Sequence, residues 1–444
     1  MTKAITDRPA GGINEAFPYK VCINLDRRPD RWRQMRLKFE RHGIQTVRRF
    51  PALDGDGLEI PSHWRHTTGA YGCLRSHLEV VSEARRLGAS GVFIFEDDVV
   101  FDHQFRKKFS ARVKELPADW DMLYLGALHK DEPIKVSENI ARITEAYSTY
   151  AYALRDTVFD AFIELNRKAE TVLDNNTLAL QKRFNCYCFM PHLAWVETDY
   201  SDAQKRLEHH WYLRESLVLF SPQVDRLLSD TTIIFAHGAR ARGERAAENM
   251  TYLVNYYHEF FSPHIAMVIV EQGDEPTVDP ATLPANCKYI FLAGAGAFDR
   301  GRCFDAGLAS SDPARKFVIL SDDDIYLETL DIRANLRMCE RYDGATGFSK
   351  IIDLTREDSL RLRDTKTTRG IDITKNASPI NKNASPIDNE RRGYCCFFRR
   401  EAIQTPGGRG ETGAEKVESL LSSRSGRQSQ VFQSPNHALR LWQG

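Results

Sequence analysis

The sequence lacks any apolar run long enough to cross a membrane. A spanning helix needs about 18 or more consecutive apolar residues, and no such run occurs in the 444 residues. The first residues, MTKAITDRPAGG, also have no apolar segment of the signal-peptide type. We therefore expect a cytoplasmic chain with at most peripheral membrane contact.

Net charge and closely paired cysteines are also missing. The 61 basic residues balance 61 acidic ones, so no whole-chain field favours nucleic acid or an anionic membrane. Nine cysteines are scattered without a CxxC pair. This spacing favours free thiols in a reducing compartment over a disulfide framework or a zinc site.

Apolar runs alternate with amphipathic segments in both halves, which predicts an α/β fold with mostly parallel sheets. A chain of this length has room for two or three domains of about 100–200 residues each. In the first half we predict strands at 19–25, 46–50, 91–95, 120–126 and 148–154, a helix ending near His42, and helices at 71–87 and 156–167. In the second half we predict strands at 232–236, 264–270, 288–292 and 316–320 and a helix at 246–261.

These elements suggest a division of the chain into a flexible lead at 1–17, a domain at 18–206, a helical connector at 207–229 and a second domain at 230–444. Residues 366–392 contain the tandem heptads KNASPIN and KNASPID. Their polar, proline-containing composition predicts a mobile loop. This loop is a candidate lid or acceptor-contact segment, and a passive insertion is an equally good interpretation.

Two acidic triplets directly follow predicted strands, and they are Glu96-Asp97-Asp98 and Asp322-Asp323-Asp324. Ligands of open α/β sheets bind beyond the carboxyl ends of the strands. Crowded carboxylates repel one another, and a hard cation such as Mg²⁺ or Mn²⁺ relieves the repulsion. Alternate residues of an extended segment point the same way, so the first and third acids of each triplet could share one ion with a diphosphate. The competing interpretation is that the triplets only cap the following helix.

Arginine-rich turns follow the first predicted strand of each half. Their members are Arg27, Arg28 and Arg31 in the first half and Arg240, Arg242 and Arg245 in the second. Guanidinium groups suit phosphates and carboxylates, so the turns indicate an anionic ligand. Solvated helix starts are the alternative.

Eight motifs of the first half follow one another in a specific order: INLDRRPDRW (23–32), ALDGDG (52–57), GAYGCLRSH (69–77), FIFEDDVVF (93–101), DMLYLGALH (121–129), STYAYAL (148–154), VLDNN (172–176) and MPHLAWVETDYSD (190–202). Together they resemble glycosyltransferase family 25, the lipooligosaccharide and procollagen galactosyltransferase type. The resemblance covers residues 19–205. It implies a GT-A fold, a nucleotide-sugar donor, a divalent metal (Mn²⁺ or Mg²⁺) and inversion at the anomeric carbon.

The same resemblance implies roles for individual residues. Glu96 and Asp98 would bind the metal, and Asp97 would lie on the donor side of the motif. The nucleotide side would be lined by Asn24, Arg27, Arg28 and Arg31, and the donor would lie near Ser76 and His77. The base that activates an acceptor hydroxyl would be Asp174 or Asp202. For His77, a structural histidine within a helix is the alternative.

The second half carries IIFAHGARARGER (233–245), VIVEQGD (268–274), FDRGRCFDAGL (298–308), VILSDDDIYL (318–327), GYCCFFRREAI (393–403) and GGRGETGAEKVESLLSSR (407–424). These motifs resemble inverting GT-A enzymes of family 2, near the chondroitin-polymerase and galactosyltransferase C-terminal types. The resemblance implies a donor site with Arg240, Arg242, Arg300 and Asp323. It implies a metal site with Asp322, Asp324 and His437, the histidine nearest the family's usual C-terminal ligand.

The catalytic end of this second half departs from the family pattern. Lys416 stands where a second acid is expected, and Gln443 stands where a histidine is usual. Losing a proton-abstracting acid typically lowers a rate by about 10²–10⁴-fold. Either Glu415 or Glu411 therefore serves as the base, or the second domain is weak or inactive.

From both halves we expect two tandem GT-A domains in a metal-dependent, inverting and bifunctional glycosyltransferase. The donor would be a UDP-sugar of the galactose or glucose type, and the acceptor a glycan, a glycolipid such as lipopolysaccharide, or a protein. The alternative is a single-activity transferase whose C-terminal domain binds acceptor or acts as a scaffold. A non-catalytic sugar-binding module and a nucleotidyltransferase are weaker alternatives. No nucleic-acid partner is expected, and homo-oligomerisation stays open.

Overall fold

The computed structural model of the chain describes residues 11–197, 199–208, 210–238, 245–294, 296–366, 377–379, 394–404, 431–435 and 437–441. The chain divides into two compact units, Met1–Ser221 and Pro222–Gly444. Within the described ranges, no helix is both long and apolar enough to cross a lipid bilayer.

The first unit is built on a sheet of eight strands among its described residues, in the order β2-β1-β3-β10-β5-β11-β8-β7. The strands of the unit are β1 (Lys20–Asn24), β2 (Val47–Pro51), β3 (Gly91–Phe95), β4 (Val100–Phe101), β5 (Met122–Tyr124), β6 (Leu128–His129), β7 (Ile134–Lys135), β8 (Ile140–Arg142), β9 (Ala146–Tyr147), β10 (Ala151–Arg155), β11 (Cys186–Phe189), β12 (Ala194–Trp195), β13 (Asp199–Ser201) and β14 (Arg206–Glu208).

Helices lie between these strands, so the predicted α/β class is confirmed for this unit. They are α1 (Ile13–Ala16), α2 (Pro29–His42), α3 (Thr68–Arg86), α4 (Phe105–Arg112), α5 (Asp156–Lys168), α6 (Leu173–Gln181) and α7 (Trp211–Arg214), with 3₁₀ turns at Gly55–Gly57 and Val113–Glu115. The apolar stripe of α3, which includes Leu74, Leu78 and Val81, is buried in the core because these residues recur on one helical face.

The prediction of a mostly parallel sheet is wrong for the first unit. Strands β1, β2 and β3 are parallel, but β10 lies antiparallel between β3 and β5. Parallel neighbours need a long crossover, usually a helix. Between β5 and β10 the chain instead runs through short strands with no helix, so β10 returns antiparallel to β5.

The second unit contains a seven-stranded sheet in its described part, in the order β17-β16-β15-β18-β23-β20-β24, and a four-stranded sheet β19-β25-β21-β22. Its strands are β15 (Thr231–His237), β16 (Ala266–Gly273), β17 (Cys287–Ala293), β18 (Phe317–Asp322), β19 (Ile325–Tyr326), β20 (Gly344–Thr346), β21 (Lys350–Asp353), β22 (Ala377–Pro379), β23 (Cys395–Arg399), β24 (Val431–Gln433) and β25 (His437–Arg440). Strands β15 to β18 are mutually parallel, as predicted.

The helices of the second unit are Pro222–Ser229, Ala246–Phe261, Arg300–Ser310, Thr329–Met338, Arg356–Thr365 and Arg400–Gln404, with a 3₁₀ turn at Pro280–Thr282. The helix predicted at 246–261 has the predicted bounds. Its buried face includes Met250, Leu253 and Val254.

The connector predicted at 207–229, with a break near Ser221-Pro222, is only partly helical. Leu207 lies in β14, where it pairs with Tyr200 of β13, and separate short helices follow at Trp211–Arg214 and Pro222–Ser229. Most of the loop predicted at 366–392 lies outside the described residues. The part that is described, β22, pairs antiparallel with β21.

Candidate active site

The acidic triplet of the first unit meets the end of the neighbouring strand. Strands β1 and β3 are parallel neighbours, so their carboxyl ends lie at one edge of the sheet. Asn24, the last residue of β1, donates through Nδ2 to Asp97 Oδ2 at 2.6 Å. The side-chain oxygen of Asn24 in turn accepts from Arg49 Nε at 2.8 Å. This arrangement holds the middle acid of the triplet in place.

Arg31 joins the arginine-rich turn to the triplet. Its guanidinium is buried, and Nη1 donates to Asp97 Oδ1 at 3.2 Å. Its Nη2 donates to Asp199 Oδ2 at 2.8 Å and to the carbonyl of Tyr200 at 2.7 Å. One side chain therefore fixes the triplet and β13 to each other.

Asp202 is held by the two other arginines of the same turn. Arg27 Nη1 donates to one carboxylate oxygen at 2.6 Å, and Arg28 Nη1 donates to the other at 2.7 Å. Arg27 also donates through Nε to Asp54 at 2.7 Å. Because both oxygens of Asp202 accept from guanidinium groups, the carboxylate acts here as an anchor.

Three glycines allow the loops around this edge to approach helix α3. A Cβ on Gly55 would lie 1.8 Å from the carbonyl oxygen of Thr68, and one on Gly72 would lie 2.4 Å from that of Leu53. A Cβ on Gly69 would lie 2.3 Å from the carbonyl oxygen of Asp202. These clashes explain Gly55 of the ALDGDG motif and both glycines of the GAYG motif.

Ser76 and His77 lie on α3, but they have different environments. The hydroxyl of Ser76 accepts from the Leu53 amide at 2.8 Å and donates to the Gly72 carbonyl at 2.7 Å, so it positions the adjoining loop. His77 is buried, and its Nδ1 bonds the hydroxyl of Tyr152 at 2.9 Å. Its Nε2 has no hydrogen-bond partner and lies 3.5 Å from Glu96 Oε1.

A cleft lies at this edge of the sheet. It brings together these predicted site residues: Asn24, Arg27, Arg31, Ser76, His77, Glu96, Asp97, Asp98 and Asp202. Predicted residues Arg28 and Asp174 are not among its lining residues. Arg28 contacts Asp202, and Asp174 lies near Glu96, whose charge acts on it.

Three carboxyl groups at this edge have pKa values above their ordinary range. Burial, reinforced by the charges of Glu96 and Asp97, raises the pKa of Asp98 to about 7. Burial and the charge of Glu96 raise the pKa of Asp174 to about 6. Burial also raises the pKa of Asp97. A cation would stabilise the ionised forms.

The residues of the cleft fit a divalent cation. Oδ1 of Asp98 is buried without a hydrogen-bond partner, and the unpartnered Nε2 of His77 faces Glu96. One ligand atom each from Cys73, His77 and Glu96 lies within 4.8 Å of the others. Sequence reasoning named Glu96 and Asp98 but missed Cys73, and it gave His77 a different role. The i, i+4 spacing of Cys73 and His77 on a predicted helix was the available signal.

The acidic triplet of the second unit lies in a different environment. Asp322, Asp323 and Asp324 are 0%, 0% and 2% exposed. Arg300 donates to both oxygens of Asp322, at 2.8 and 3.0 Å, and the Tyr394 amide donates to Oδ2 at 2.9 Å. The Arg300 guanidinium, which was predicted to bind a donor, thus pairs with a predicted metal ligand.

Asp323 belongs to a buried network around His237. Its Oδ2 lies 2.6 Å from His237 Nδ1, and His237 Nε2 lies 3.1 Å from the hydroxyl of Thr277. Glu271 accepts from the hydroxyls of Thr277 and Tyr289, both at 2.6 Å. Asp323 therefore has an internal partner.

The remaining predicted residues of the second unit cannot be placed against this network. Arg240, Arg242, Glu411, Glu415, Lys416 and Gln443 lie outside the described residues. His437 begins β25, but its side chain is outside the described part of the structure.

The first unit is similar in sequence to glycosyltransferases. Residues 18–167 match the model of glycosyltransferase family 25, described as an LPS biosynthesis protein. Human procollagen galactosyltransferase 2 is 30% identical over 161 residues, which are 31% of this chain and 25% of the human protein. The human inactive glycosyltransferase 25 family member 3 is also 30% identical, over 168 residues that make up 32% of this chain and 27% of that protein.

The chain spans about a quarter of the length of the curated relatives it matches. Among solved structures, glucosyl-3-phosphoglycerate synthase from Mycobacterium tuberculosis, determined with Mn²⁺, UDP and phosphoglyceric acid, matches with 10% identity and a TM-score of 0.28, covering 49% of this chain and 74% of the other. Structural similarity at this level does not assign a function. The sequence matches support an enzyme of the glycosyltransferase class, and because a relative named inactive matches equally well, activity has to be argued from the site.

Proposed function

We propose that the chain is a metal-dependent glycosyltransferase that takes its sugar from a nucleotide-diphosphate donor, with the transfer site in the cleft of the first unit. The observation that carries the proposal is that Glu96, Asp98 and His77 line one cleft, where Oδ1 of Asp98 and Nε2 of His77 lack hydrogen-bond partners. A protein that used these groups only for structure would pair them, because an unpaired buried polar atom is destabilising.

The donor diphosphate is proposed to bind between the acidic cluster and the arginine-rich turn. Arg27 lies in the cleft wall, and its guanidinium is half-exposed. Guanidinium groups bind phosphate oxygens in a bidentate manner. Arg31 is buried and committed to Asp97 and Asp199, so its proposed role is to position the triplet. We expect a UDP-sugar of the galactose or glucose type.

Mn²⁺ or Mg²⁺ would be held by Glu96 and Asp98, with His77 as a nitrogen ligand. Carboxylates suit these hard cations, and imidazole is compatible with manganese. When bound, the ion supplies charge neutralisation for the leaving nucleoside diphosphate. Donation from Nδ1 of His77 to the hydroxyl of Tyr152 at 2.9 Å would leave a lone pair on Nε2 for the ion.

Inversion requires a base on the acceptor side, and Asp174 suits that role better than Asp202. A pKa of about 6 makes Asp174 ionised at neutral pH while leaving it basic enough to take a proton. Both oxygens of Asp202 already accept from arginines. We therefore assign Asp202 to positioning of the arginine turn.

For the second unit, the contacts favour a single-activity enzyme over a bifunctional one. A metal at its triplet would have to displace Arg300 from Asp322, and Asp323 is bonded to His237. Acceptor binding or a scaffold role is the proposed function of this unit. We also propose that the second unit has a GT-A fold and is related to family 2.

The acceptor is proposed to be a glycan, glycolipid or protein hydroxyl reached from the cytoplasmic side of a membrane. The description of the matched family concerns LPS biosynthesis, and the name of the human relative concerns procollagen. Both fit an acceptor hydroxyl that attacks the anomeric carbon.

The test is a panel of UDP- and GDP-sugars incubated with Mn²⁺, with donor hydrolysis as the readout in the absence of a known acceptor. Hydrolysis by the wild-type chain that disappears in Asp98→Ala and persists in Asp324→Ala supports the proposal. Hydrolysis that is unchanged in Asp98→Ala contradicts it. A partial loss in each variant would instead support two working sites.

A further inference from the structure

A second group of potential ligands lies in the first unit and shares no residue with the cleft lining. His129, Cys188 and His192 are 0%, 0% and 3% exposed. They come from β6, from β11 and from the segment directly after β11. One ligand atom of each lies within 4.8 Å of the others, although 63 residues separate the two histidines.

The spacing of the two histidines suits a tetrahedral ion. Their Nε2 atoms are 3.2 Å apart. Two nitrogens bound to a tetrahedral zinc at about 2.05 Å are about 3.3 Å apart. The other nitrogen of His192, Nδ1, lies 2.8 Å from the carbonyl oxygen of Leu213. Donation to that carbonyl leaves a lone pair on Nε2, and metal-bound histidines commonly make such a bond.

The chemistry of the group suits zinc better than a hard cation. His129 and His192 are buried imidazoles whose Nε2 atoms face each other, and neutral imidazole is the form that binds a metal. The thiol of Cys188 has only a long contact of 3.5 Å with the carbonyl of Phe189. Sulfur and imidazole donors select zinc over magnesium or calcium.

We propose that His129, Cys188 and His192 bind one zinc ion, which ties the segment after β11 to β6. Binding replaces the S–H bond of Cys188 with a zinc–sulfur bond and releases one proton to solvent. Three protein ligands leave one tetrahedral position for a water or a small anion. The site is structural, because no ligand reaches the cleft.

The experiment is metal analysis of the full-length chain, expressed with added zinc and dialysed against metal-free buffer. We expect about one zinc per chain, lost in Cys188→Ala and in His192→Ala. Cys186→Ala is the matched control, because Cys186 is also buried on β11 but is not part of the group. Glu96→Gln controls for zinc bound in the cleft, and both controls should keep the ion.

Cobalt substitution gives an independent readout. Co²⁺ bound through Cys188 produces a thiolate-to-cobalt charge-transfer absorption, which Cys188→Ser should abolish without a change in the bulk of the residue. The proposal is overturned if the wild-type chain takes up neither metal, or if the folded Cys188→Ser and His192→Ala variants keep the zinc. Should Cys188→Ala fail to fold, the spectra of Cys188→Ser and Cys186→Ala decide.

Discussion

The two acidic triplets have nearly the same sequence context but opposite environments. The side chains of Glu96, Asp97 and Asp98 are 31%, 11% and 28% exposed, and they line a cleft. Those of the second triplet are at most 2% exposed, and arginine and histidine contacts hold two of them. The comparison shows that an acidic strand end alone does not identify a metal site.

The difference comes from the residues that face each triplet. In the first unit, Arg31 and Asn24 hydrogen-bond the middle acid, Arg31 lies 3.8 Å from Asp98 Oδ2, and Oδ1 of Asp98 has no hydrogen-bond partner. In the second unit, Arg300 satisfies both oxygens of Asp322. A cation that bound Asp322 would have to displace Arg300, and the positive charge of the arginine would then lack its partner. Such a carboxylate therefore gains little free energy from a cation.

The largest predicted difference is in catalysis. Asp98→Asn should lower the rate of transfer or donor hydrolysis by about 10³-fold. It removes a carboxylate that would hold the metal ion, and that ion would neutralise the leaving nucleoside diphosphate. Asp324→Asn should change the same rate by no more than about twofold. Steady-state rates at saturating Mn²⁺ measure both, with circular dichroism to confirm folding. Equal losses of rate in the two variants would contradict the proposed difference between the two triplets.

The next effect is on stability, and it has the opposite pattern. Arg300→Met should lower the free energy of unfolding by about 3–5 kcal/mol, because it leaves the buried charge of Asp322 without its guanidinium. Arg27→Met, which removes a half-exposed guanidinium from the first cleft, should cost less than about 1 kcal/mol. Urea denaturation measures both, and a similar loss for the two variants would contradict the distinction.

A pH profile sharpens the assignment of the base. Because the pKa of Asp174 is about 6, transfer should rise about tenfold per pH unit below pH 6 and level off above it. The folded chain binds this proton more tightly than the unfolded chain, so ionisation of Asp174 lowers the free energy of unfolding as pH rises from about 4 to about 6.

Asp174→Asn should remove this acidic limb, whereas Asp160→Asn, at an exposed acid of α5, should keep it. Rates measured from pH 5 to 8 would show the limb. A limb near pH 6 that persists in Asp174→Asn would assign the ionisation to another group.

The smallest predicted effect concerns a hydrogen bond that positions a loop beside the first cleft. Ser76→Ala removes the acceptor for the Leu53 amide and should lower the free energy of unfolding by about 1 kcal/mol. Ser82→Ala, on the same helix, is the control and should change it by less than about 0.5 kcal/mol. If the two substitutions are equally mild, Ser76 does not fix the loop.

Local sequence predicted the elements well but not their partners. The bounds of β3 and of the helix Ala246–Phe261 were predicted because they depend on the composition and hydrophobic period of each segment itself. The antiparallel insertion of β10 does not, because no residue of 148–154 encodes which strand lies beside it. The mixed sheet was therefore missed.

The sequence predicted which residues form the candidate site but not which side chains contact one another. The acidic triplet, the arginine turn and His77 were named from the sequence, and the first unit brings them to one cleft. The contact of Arg300 with Asp322, and the meeting of His129 with His192, join residues far apart in the chain. Such non-local pairs leave no spacing signal, and the absence of a CxxC motif pointed away from zinc.

The central claim, one working nucleotide site in the first unit, is tested most directly by isothermal titration of UDP into the chain with saturating Mn²⁺. The account predicts one UDP per chain, binding that requires Mn²⁺, loss of binding in Asp98→Asn and retention in Asp324→Asn. Two UDP molecules per chain, or binding that survives Asp98→Asn and is lost in Asp324→Asn, would contradict it.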